Sequence, residues 1–241
     1  MAITSLPDLP NTVRVLLCTT NLLTCLPDLP PYLERLDCWN NRILSLPKLP
    51  ETLTHLQCTN NYITQLPSLP NSLISLRCGD NFFTQLPELP TKLDELYCFG
   101  NRLRSIPTLP SSLTIMICHT NHIRTIPPIL HTSLTYLDCF HNMLTSLPKI
   151  PDTLQQLYCT NNLWSKHFLE LHSKPNAIEA IRTIYRERKE HKAQLKGILS
   201  LVWTFPKTSL SSDSLTRIGQ FLSGRNGDLH TQKDELLVAM F

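Results

Sequence analysis

Cysteine is the residue type in this chain whose number and spacing could support chemistry. Nine cysteines occur among the 241 residues, and eight of them recur at intervals of 20 or 21 residues. These eight are Cys18, Cys38, Cys58, Cys78, Cys98, Cys118, Cys139 and Cys159. Thiols at regular intervals could form disulfides, bind a metal or act as nucleophiles. No Cys-x-x-Cys pair is present, so the spacing does not support a zinc site.

A structural role explains the eight cysteines better. Each follows a leucine or methionine by two positions, and alternate residues of a strand face the same side of a sheet. A cysteine in such a column therefore shares the buried side, where a free thiol behaves as a small hydrophobic group. We predict unreacted core thiols and a reducing environment, with Cys25 as the only candidate exposed thiol.

The histidines offer no stronger sign of a catalytic or metal centre. His119, His122, His131 and His141 are close in sequence but lack ligand-like spacing, which is typical of surface histidines. The chain holds only 6 glycines and no glycine-rich phosphate loop. We therefore predict no enzymatic activity, no catalytic residue, no metal and no cofactor.

The regular cysteines belong to a longer repeating unit. Its pattern is L-x-x-L-x-C-x-x-N-x-[LIF]-x-x-L-P-x-L-P, as in residues 33–50 and 53–70. A fixed period of about 20 residues with this spacing is the signature of the leucine-rich repeat. One extra residue enters between Pro127 and Ser133. Residues 1–163 are therefore predicted to form a leucine-rich-repeat domain of about eight repeats of 20 to 21 residues.

The columns of this unit predict the fold class. The segment x-L-x-C-x predicts one short strand per repeat, paired in parallel with its neighbours. The asparagine turns the chain out of the strand and satisfies backbone groups. The prolines of L-P-x-L-P fix φ, so the return side should resemble polyproline II. We predict an α/β-type repeat solenoid, a horseshoe with a parallel concave sheet, a polyproline-II-like convex side and a C-terminal helical cap.

The outward-facing strand positions predict a binding surface on the concave face. Aromatic residues mixed with charged ones are typical of protein-binding hot spots. The alternative is that aromatic residues favour strand surfaces and stack along the sheet without binding anything. Eight strands about 4.8 Å apart give a face about 35 to 40 Å long, which suits a helix or small domain. The candidate partner-binding residues are Arg35, Asp37, Trp39, Arg77, Asp80, Glu95, Tyr97, Phe99, Tyr136, Asp138, Phe140 and Tyr158.

Residues 164–241 have helical spacing instead of the repeat. Pro175 is placed to start a helix in which Ile178, Ile181 and Ile184 form an apolar stripe. Because a solenoid must cover its open end, we predict a helical domain that caps the repeats. Its basic residues are interspersed with Glu187 and Glu190, which is typical of a solvated helix face, so nucleic-acid binding is not predicted.

The beginning of the chain predicts an uncovered sheet edge. About a dozen residues precede the first strand, so either an upstream segment is missing or the N-terminal edge mediates self-association. The first ten residues lack a basic start and a long apolar stretch, so we predict no cleavable signal peptide. No apolar run reaches the length needed to span a bilayer.

The unit L-P-x-L-P-x-x-L-x-x-L-x-C-x-x-N-x-L-T-x-L-P, over about residues 3–163, resembles a known bacterial family. It is similar to the short repeats of leucine-rich-repeat effectors exported by type III and type IV systems, which include YopM, IpaH-like and Legionella effectors. The resemblance implies a bacterial protein exported from the bacterial cytoplasm without a cleavable signal peptide. It further implies action in the host-cell cytoplasm, through binding of a host protein on the concave face.

The IpaH-like effectors also carry a ubiquitin-ligase domain with a Cys-x-Asp nucleophile motif, and this chain departs from that pattern. Its one such motif, Cys78-Gly79-Asp80, lies in the repeat ladder, and residues 165–241 contain no cysteine. A buried core thiol is a poor nucleophile. Because of this departure, we predict that the chain does not act as a ubiquitin ligase through a covalent thiol intermediate.

A second resemblance concerns the C-terminal residues. Residues 210–222 are similar to the opening helix of an F-box, with Ser211 where that motif has proline. This resemblance implies an alternative function, an adaptor that recruits a host Skp1–cullin ubiquitin ligase. The candidate adaptor-helix residues are Leu215, Ile218, Phe221 and Leu222.

Overall fold

The structure is a computed structural model that describes residues 2–129, 131–164 and 178. Its strands have three residues each: β1 (Val15–Leu17), β2 (Arg35–Asp37), β3 (His55–Gln57), β4 (Ser75–Arg77), β5 (Glu95–Tyr97), β6 (Ile115–Ile117), β7 (Tyr136–Asp138) and β8 (Gln156–Tyr158). They form one parallel sheet in chain order. Each central leucine or methionine lies opposite its counterpart in the next repeat. The solenoid predicted from the repeat is confirmed.

The core lies between the sheet and the return side. The central strand residue and the following cysteine point inward together, and Leu36 and Cys38 are fully buried. The first and third residues of each strand point the other way, as the two-residue period of a strand requires. All nine cysteines are free thiols; Cys25 is exposed and the other eight are buried. The prediction of a core thiol column is confirmed.

An asparagine ladder joins each repeat to the one before it. The Asn41 side-chain amide donates to the Cys18 carbonyl at 2.9 Å and to the Cys38 carbonyl at 3.1 Å. Its Oδ1 accepts the Leu23 N–H at 3.0 Å. Asn61, Asn81, Asn101, Asn121, Asn142 and Asn162 repeat this arrangement. Because these backbone groups are buried, the ladder removes a large desolvation cost at every turn.

The residue before each ladder asparagine adopts a left-handed backbone conformation. The eight positions are Thr20, Asn40, Asn60, Asp80, Gly100, Thr120, His141 and Asn161, with φ between 46° and 61°. Glycine, asparagine and aspartate tolerate this conformation, whereas a β-branched residue is strained there. The turn that ends each strand is therefore built from the same backbone geometry, with local strain at the threonines.

This strain makes Thr120→Asn a stabilising substitution. Asparagine already occupies the equivalent position in three repeats, so we expect the free energy of unfolding to rise by about 0.5 to 1 kcal/mol. Urea unfolding followed by circular dichroism measures the change. Thr91→Asn, at an exposed turn residue without this conformation, is the matched control and should change little. A lower unfolding midpoint for Thr120→Asn would contradict the strain argument.

The return side contains neither helix nor strand over residues 2–129 and 131–164. The leucines of L-P-x-L-P pack into the core, as Leu46 and Leu49 illustrate. The extra residue after Pro127 is accommodated there, where the Thr132 hydroxyl donates to the Ile129 carbonyl at 2.6 Å. β7 nevertheless pairs with β6 in register. The insertion therefore changes the return side and leaves the sheet continuous.

Several expectations concern parts of the chain outside the described residues. The C-terminal helical domain, its boundary after residue 163 and the adaptor-helix residues Leu215, Ile218, Phe221 and Leu222 stay predictions. The N-terminal edge is described: β1 pairs with β2 alone among these residues, and Val15 and Leu17 are 51% and 63% exposed. Self-association through that edge stays a prediction. In the described part of the chain, no helix is long and apolar enough to cross a membrane.

Candidate protein-interaction surface

The first and third residues of each strand, together with the residue after each ladder cysteine, form the concave surface. The predicted partner-binding residues lie in five repeats along it. Arg35, Asp37 and Trp39 are in the second repeat, Arg77 and Asp80 in the fourth, Glu95, Tyr97 and Phe99 in the fifth, Tyr136, Asp138 and Phe140 in the seventh, and Tyr158 in the eighth. Asp80 follows the concave column by one residue, in the left-handed turn.

A polar depression of about 380 Å³ occupies the concave surface between the second and fifth repeats. Its lining includes Arg35, Asp37, His55, Gln57, Arg77 and Glu95. The depression exists because the central repeat contributes the small side chain of Ser75, which is buried, where neighbouring repeats have histidine and glutamate. A recess with fixed donors and acceptors suits the side chains of another macromolecule.

Two neighbours fix the Glu95 carboxylate at the rim of this depression. Its Oε2 accepts from the Ser75 hydroxyl at 2.9 Å and from the Arg77 guanidinium at 3.0 Å. Burial alone would raise the pKa of Glu95, but the hydrogen bonds from Arg77 and Ser75 outweigh it and lower the pKa. The Arg77 guanidinium also lies 4.5 Å from the centre of the Tyr97 ring. Glu95, Arg77 and Tyr97 therefore form one preorganised group.

The second repeat contributes a separate group at the other side of the depression. The Arg35 guanidinium lies 3.9 Å from the Asp37 carboxylate, whose side chain is mostly buried. The Asp37 Oδ1 also accepts the backbone N–H of Trp39 at 3.5 Å. Trp39 itself is 41% exposed and stacks on no ring in the described residues. Its free ring is available for contact with a partner.

A continuous aromatic stack occupies the concave surface of the fifth to seventh repeats. The Phe99 and His119 ring centres are 4.9 Å apart, and those of His119 and Phe140 are 4.6 Å apart, with the planes nearly parallel. Gly79 lies next to Phe99, the first ring of the stack, and an added Cβ there would come within 2.6 Å of that ring. Because strand spacing brings the rings into stacking distance, they present their edges to solvent.

The two aspartates near this stack have structural contacts. Asp138 is only 9% exposed, and its Oδ1 accepts the Phe140 N–H at 3.2 Å. Burial raises the pKa of Asp138, against the opposing effects of that N–H and of His119. Burial likewise raises the pKa of Asp80, whose carboxylate occupies the space of a Cβ at Gly100. Asp138 in particular supports the stack and offers a partner little surface.

Tyr136 and Tyr158 form a second aromatic pair, with ring centres 5.6 Å apart and tilted planes. Tyr158 is the more exposed of the two. The predicted residues therefore gather into the Glu95–Arg77–Tyr97 group, the stack and this pair, while Arg35, Asp37 and Trp39 stand apart.

Sequence reasoning overlooked three residues of this surface. His119 was expected to be an ordinary surface histidine, yet it joins Phe99 to Phe140. The available signal was its column, which is the one that holds both phenylalanines. Gly79 and Ser75 shape the surface by being small, and the repeat pattern marks both as departures from larger residues in their columns.

No group of three or more histidine, cysteine, aspartate or glutamate side chains in the described residues is arranged to hold a metal ion. The surface thus offers aromatic edges, ion pairs and a polar recess. These features define the chemistry of protein recognition.

Solved structures of bacterial repeat proteins are similar to this chain. YopM from Yersinia pestis, titled a leucine-rich effector protein, is 34% identical with a TM-score of 0.66, over 68% of this chain and 48% of YopM. YopM from Yersinia enterocolitica WA-314 is 32% identical with a TM-score of 0.61, over 68% and 41%. The functional domain of InlJ from Listeria monocytogenes, described as including a cysteine ladder, is 28% identical with a TM-score of 0.55, over 68% and 38%. No protein-family model and no curated protein matches the sequence significantly.

The fold and these likenesses together define a leucine-rich-repeat protein of bacterial type. More particularly, the chain belongs to the bacterial leucine-rich-repeat effectors that YopM represents. It spans less than half the length of either YopM structure.

Proposed function

We propose that this protein is a non-enzymatic effector that captures a host protein on its concave surface. The observation that carries the proposal is the Phe99–His119–Phe140 stack beside the polar depression, on a face that no described residue covers. Its export and its placement in the host-cell cytoplasm follow from the resemblance to bacterial effectors.

The composition of the concave surface supports protein recognition over other ligands. Aromatic rings with adjacent arginine and carboxylate groups are the usual anchors of protein interfaces. The ion pair of Arg77 and Glu95 is already formed and needs no reordering when a partner arrives, which lowers the entropy cost of binding. A partner could then place apolar side chains on the aromatic stack and polar side chains in the depression.

A pull-down from eukaryotic lysate with mass spectrometry tests this proposal through a matched pair of variants. The concave variant combines Trp39→Ala, Tyr97→Ala, Phe99→Ala and Phe140→Ala. We expect the amount of captured protein to fall at least about tenfold. The control is Tyr32→Ala, which changes an exposed aromatic residue outside the concave surface, and it should capture normally. Circular dichroism verifies that both variants fold.

Two results would contradict the proposal. Undiminished capture by the concave variant would exclude the aromatic residues as the binding surface. Capture of Skp1 or a cullin by both variants would favour the adaptor function, particularly if Ile218→Asp with Phe221→Asp then abolished it.

A further inference from the structure

A second exposed surface runs along the solenoid beside the concave sheet. We define the turn flank as the residues one and three positions after each ladder asparagine. Its members are Leu22, Thr24, Arg42, Leu44, Tyr62, Thr64, Phe82, Thr84, Arg102, Arg104, His122, Arg124, Met143, Thr145 and Leu163, and all of them are exposed. The residue between each pair, such as Phe83, points into the core. The turn flank is therefore a regular feature of the repeat and faces solvent throughout.

The charge of the turn flank is of one sign. Four arginines lie on it, and all eleven aspartate and glutamate residues of positions 1–164 lie elsewhere. None of the four arginines forms an ion pair with a residue that the structure describes. Arg104 and Arg124 are neighbours, since the Arg124 N–H donates to the Arg104 carbonyl at 3.4 Å. Unpaired guanidinium groups at this spacing attract carboxylates.

An aromatic group adjoins these arginines. The Tyr62 and Phe82 rings stack with centres 6.0 Å apart, and the Arg102 guanidinium lies 4.7 Å from the Phe82 ring centre. Because the Phe82 ring is contacted by both Tyr62 and Arg102, it is not free to stack on a nucleic-acid base. The stacked Arg102 keeps its N–H groups free in the plane of the guanidinium.

We propose that the turn flank is a second binding surface, for an extended acidic protein segment that also carries aliphatic side chains. The segment lies along the solenoid axis, with aliphatic side chains against Tyr62 and Phe82 and carboxylates on Arg102, Arg104 and Arg124. The four repeats from Tyr62 to Arg124 are separated by three spacings of about 4.8 Å, or about 14 Å, which about five extended residues span. This surface is separate from the concave surface and does not depend on the function proposed for it.

Fluorescence anisotropy with the full chain tests this proposal. The probe is a fluorescein-labelled peptide of leucines followed by glutamates, beside a matched peptide with glutamine in place of glutamate. Arg102→Gln with Arg104→Gln and Arg124→Gln should weaken binding of the acidic peptide at least about tenfold. Lys48→Gln with Lys92→Gln and Lys149→Gln removes the same charge from exposed positions off the flank and should change it less than about twofold.

A second variant separates specific contact from general charge. Phe82→Ala with Tyr62→Ala keeps the net charge and should still weaken binding of the acidic peptide several-fold. The glutamine peptide should bind weakly to the unchanged chain and to every variant. Equal weakening by the arginine and lysine variants would overturn the proposal. Absence of peptide binding would also overturn it, as would tighter binding to single-stranded DNA or to phosphatidylserine vesicles. The four-residue concave variant should bind the peptide normally, so the two surfaces fail or succeed independently.

Discussion

Raising the pH from about 8 to about 10 is expected to unfold the repeat domain. Burial raises the pKa of Cys58 and of Cys98 to about 12, from an ordinary value near 9. The pKa values of Cys38, Cys78 and Cys118 are raised well above 9 by the same burial. That of Cys139 is raised as well, chiefly by its side-chain hydrogen bond with Cys159 and then by burial.

The sign of the effect follows from these directions. Below about pH 9 the thiols are protonated in both the folded and the unfolded chain, and their full contribution to stability is present. Between about pH 9 and 12 the unfolded chain releases protons that the folded chain retains, so the free energy of unfolding falls as the pH rises. At pH 10 each thiol removes about 1.4 kcal/mol, and the six together about 8 kcal/mol, which is comparable with the stability of a typical domain.

Parallel pH titrations by circular dichroism and by thiolate absorbance check this prediction. The buried thiols of the column should stay protonated below the transition and should ionise together with the loss of strand signal. Cys25→Ser changes the exposed cysteine outside this column, should leave the transition unmoved and serves as the control. Thiolates that appeared while the strand signal stayed intact would contradict the proposed burial of the column.

Asn81→Ala is expected to lower the free energy of unfolding by about 3 to 5 kcal/mol. The Asn81 amide donates to the carbonyls of Cys58 at 3.0 Å and of Gly79 at 2.9 Å, and its Oδ1 accepts the Ile63 N–H at 3.0 Å. Alanine would leave the buried Ile63 N–H without an acceptor and would also remove the hydrogen bonds that the amide donates. A buried unsatisfied donor carries its full desolvation cost.

Urea unfolding measures this loss against a matched substitution. Asn71→Ala removes an asparagine from an exposed turn of a return segment and should change the free energy of unfolding by less than about 0.5 kcal/mol. The difference between the two variants then isolates the ladder from the change of residue type. Similar values for both would mean that the ladder asparagine contributes little beyond its exposed counterparts.

The inward columns were predictable from the sequence because each serves one physical requirement in every repeat. A leucine such as Leu36 and a cysteine such as Cys38 recur at a spacing that only a buried strand face explains. The asparagine recurs because the same backbone groups need a partner at every turn. Strand register follows from the strand motif that every unit repeats, including the one unit that is a residue longer, and the solenoid is therefore predictable in detail.

The arrangement of the outward columns was less predictable. The repeat pattern assigns a residue to the concave face but does not show its depth or its neighbours' rotamers. Asp138 was predicted as a contact residue, yet it is buried beneath its own turn because its carboxylate accepts the Phe140 N–H. The spacing of the histidines predicts an ordinary surface role for His119, because it bears only on metal binding. Its neighbours across the sheet, Phe99 and Phe140, determine its role.

The one-residue insertion after Pro127 has a practical consequence for handling this protein. The return segment accommodates an added residue while β6 and β7 stay paired. The return side of the solenoid is therefore a suitable position for a tag. Exposed residues such as Pro128 and His131 could accept an epitope or a fluorophore there. The concave surface and the turn flank would remain unobstructed, and a single labelled protein could then report binding at either one.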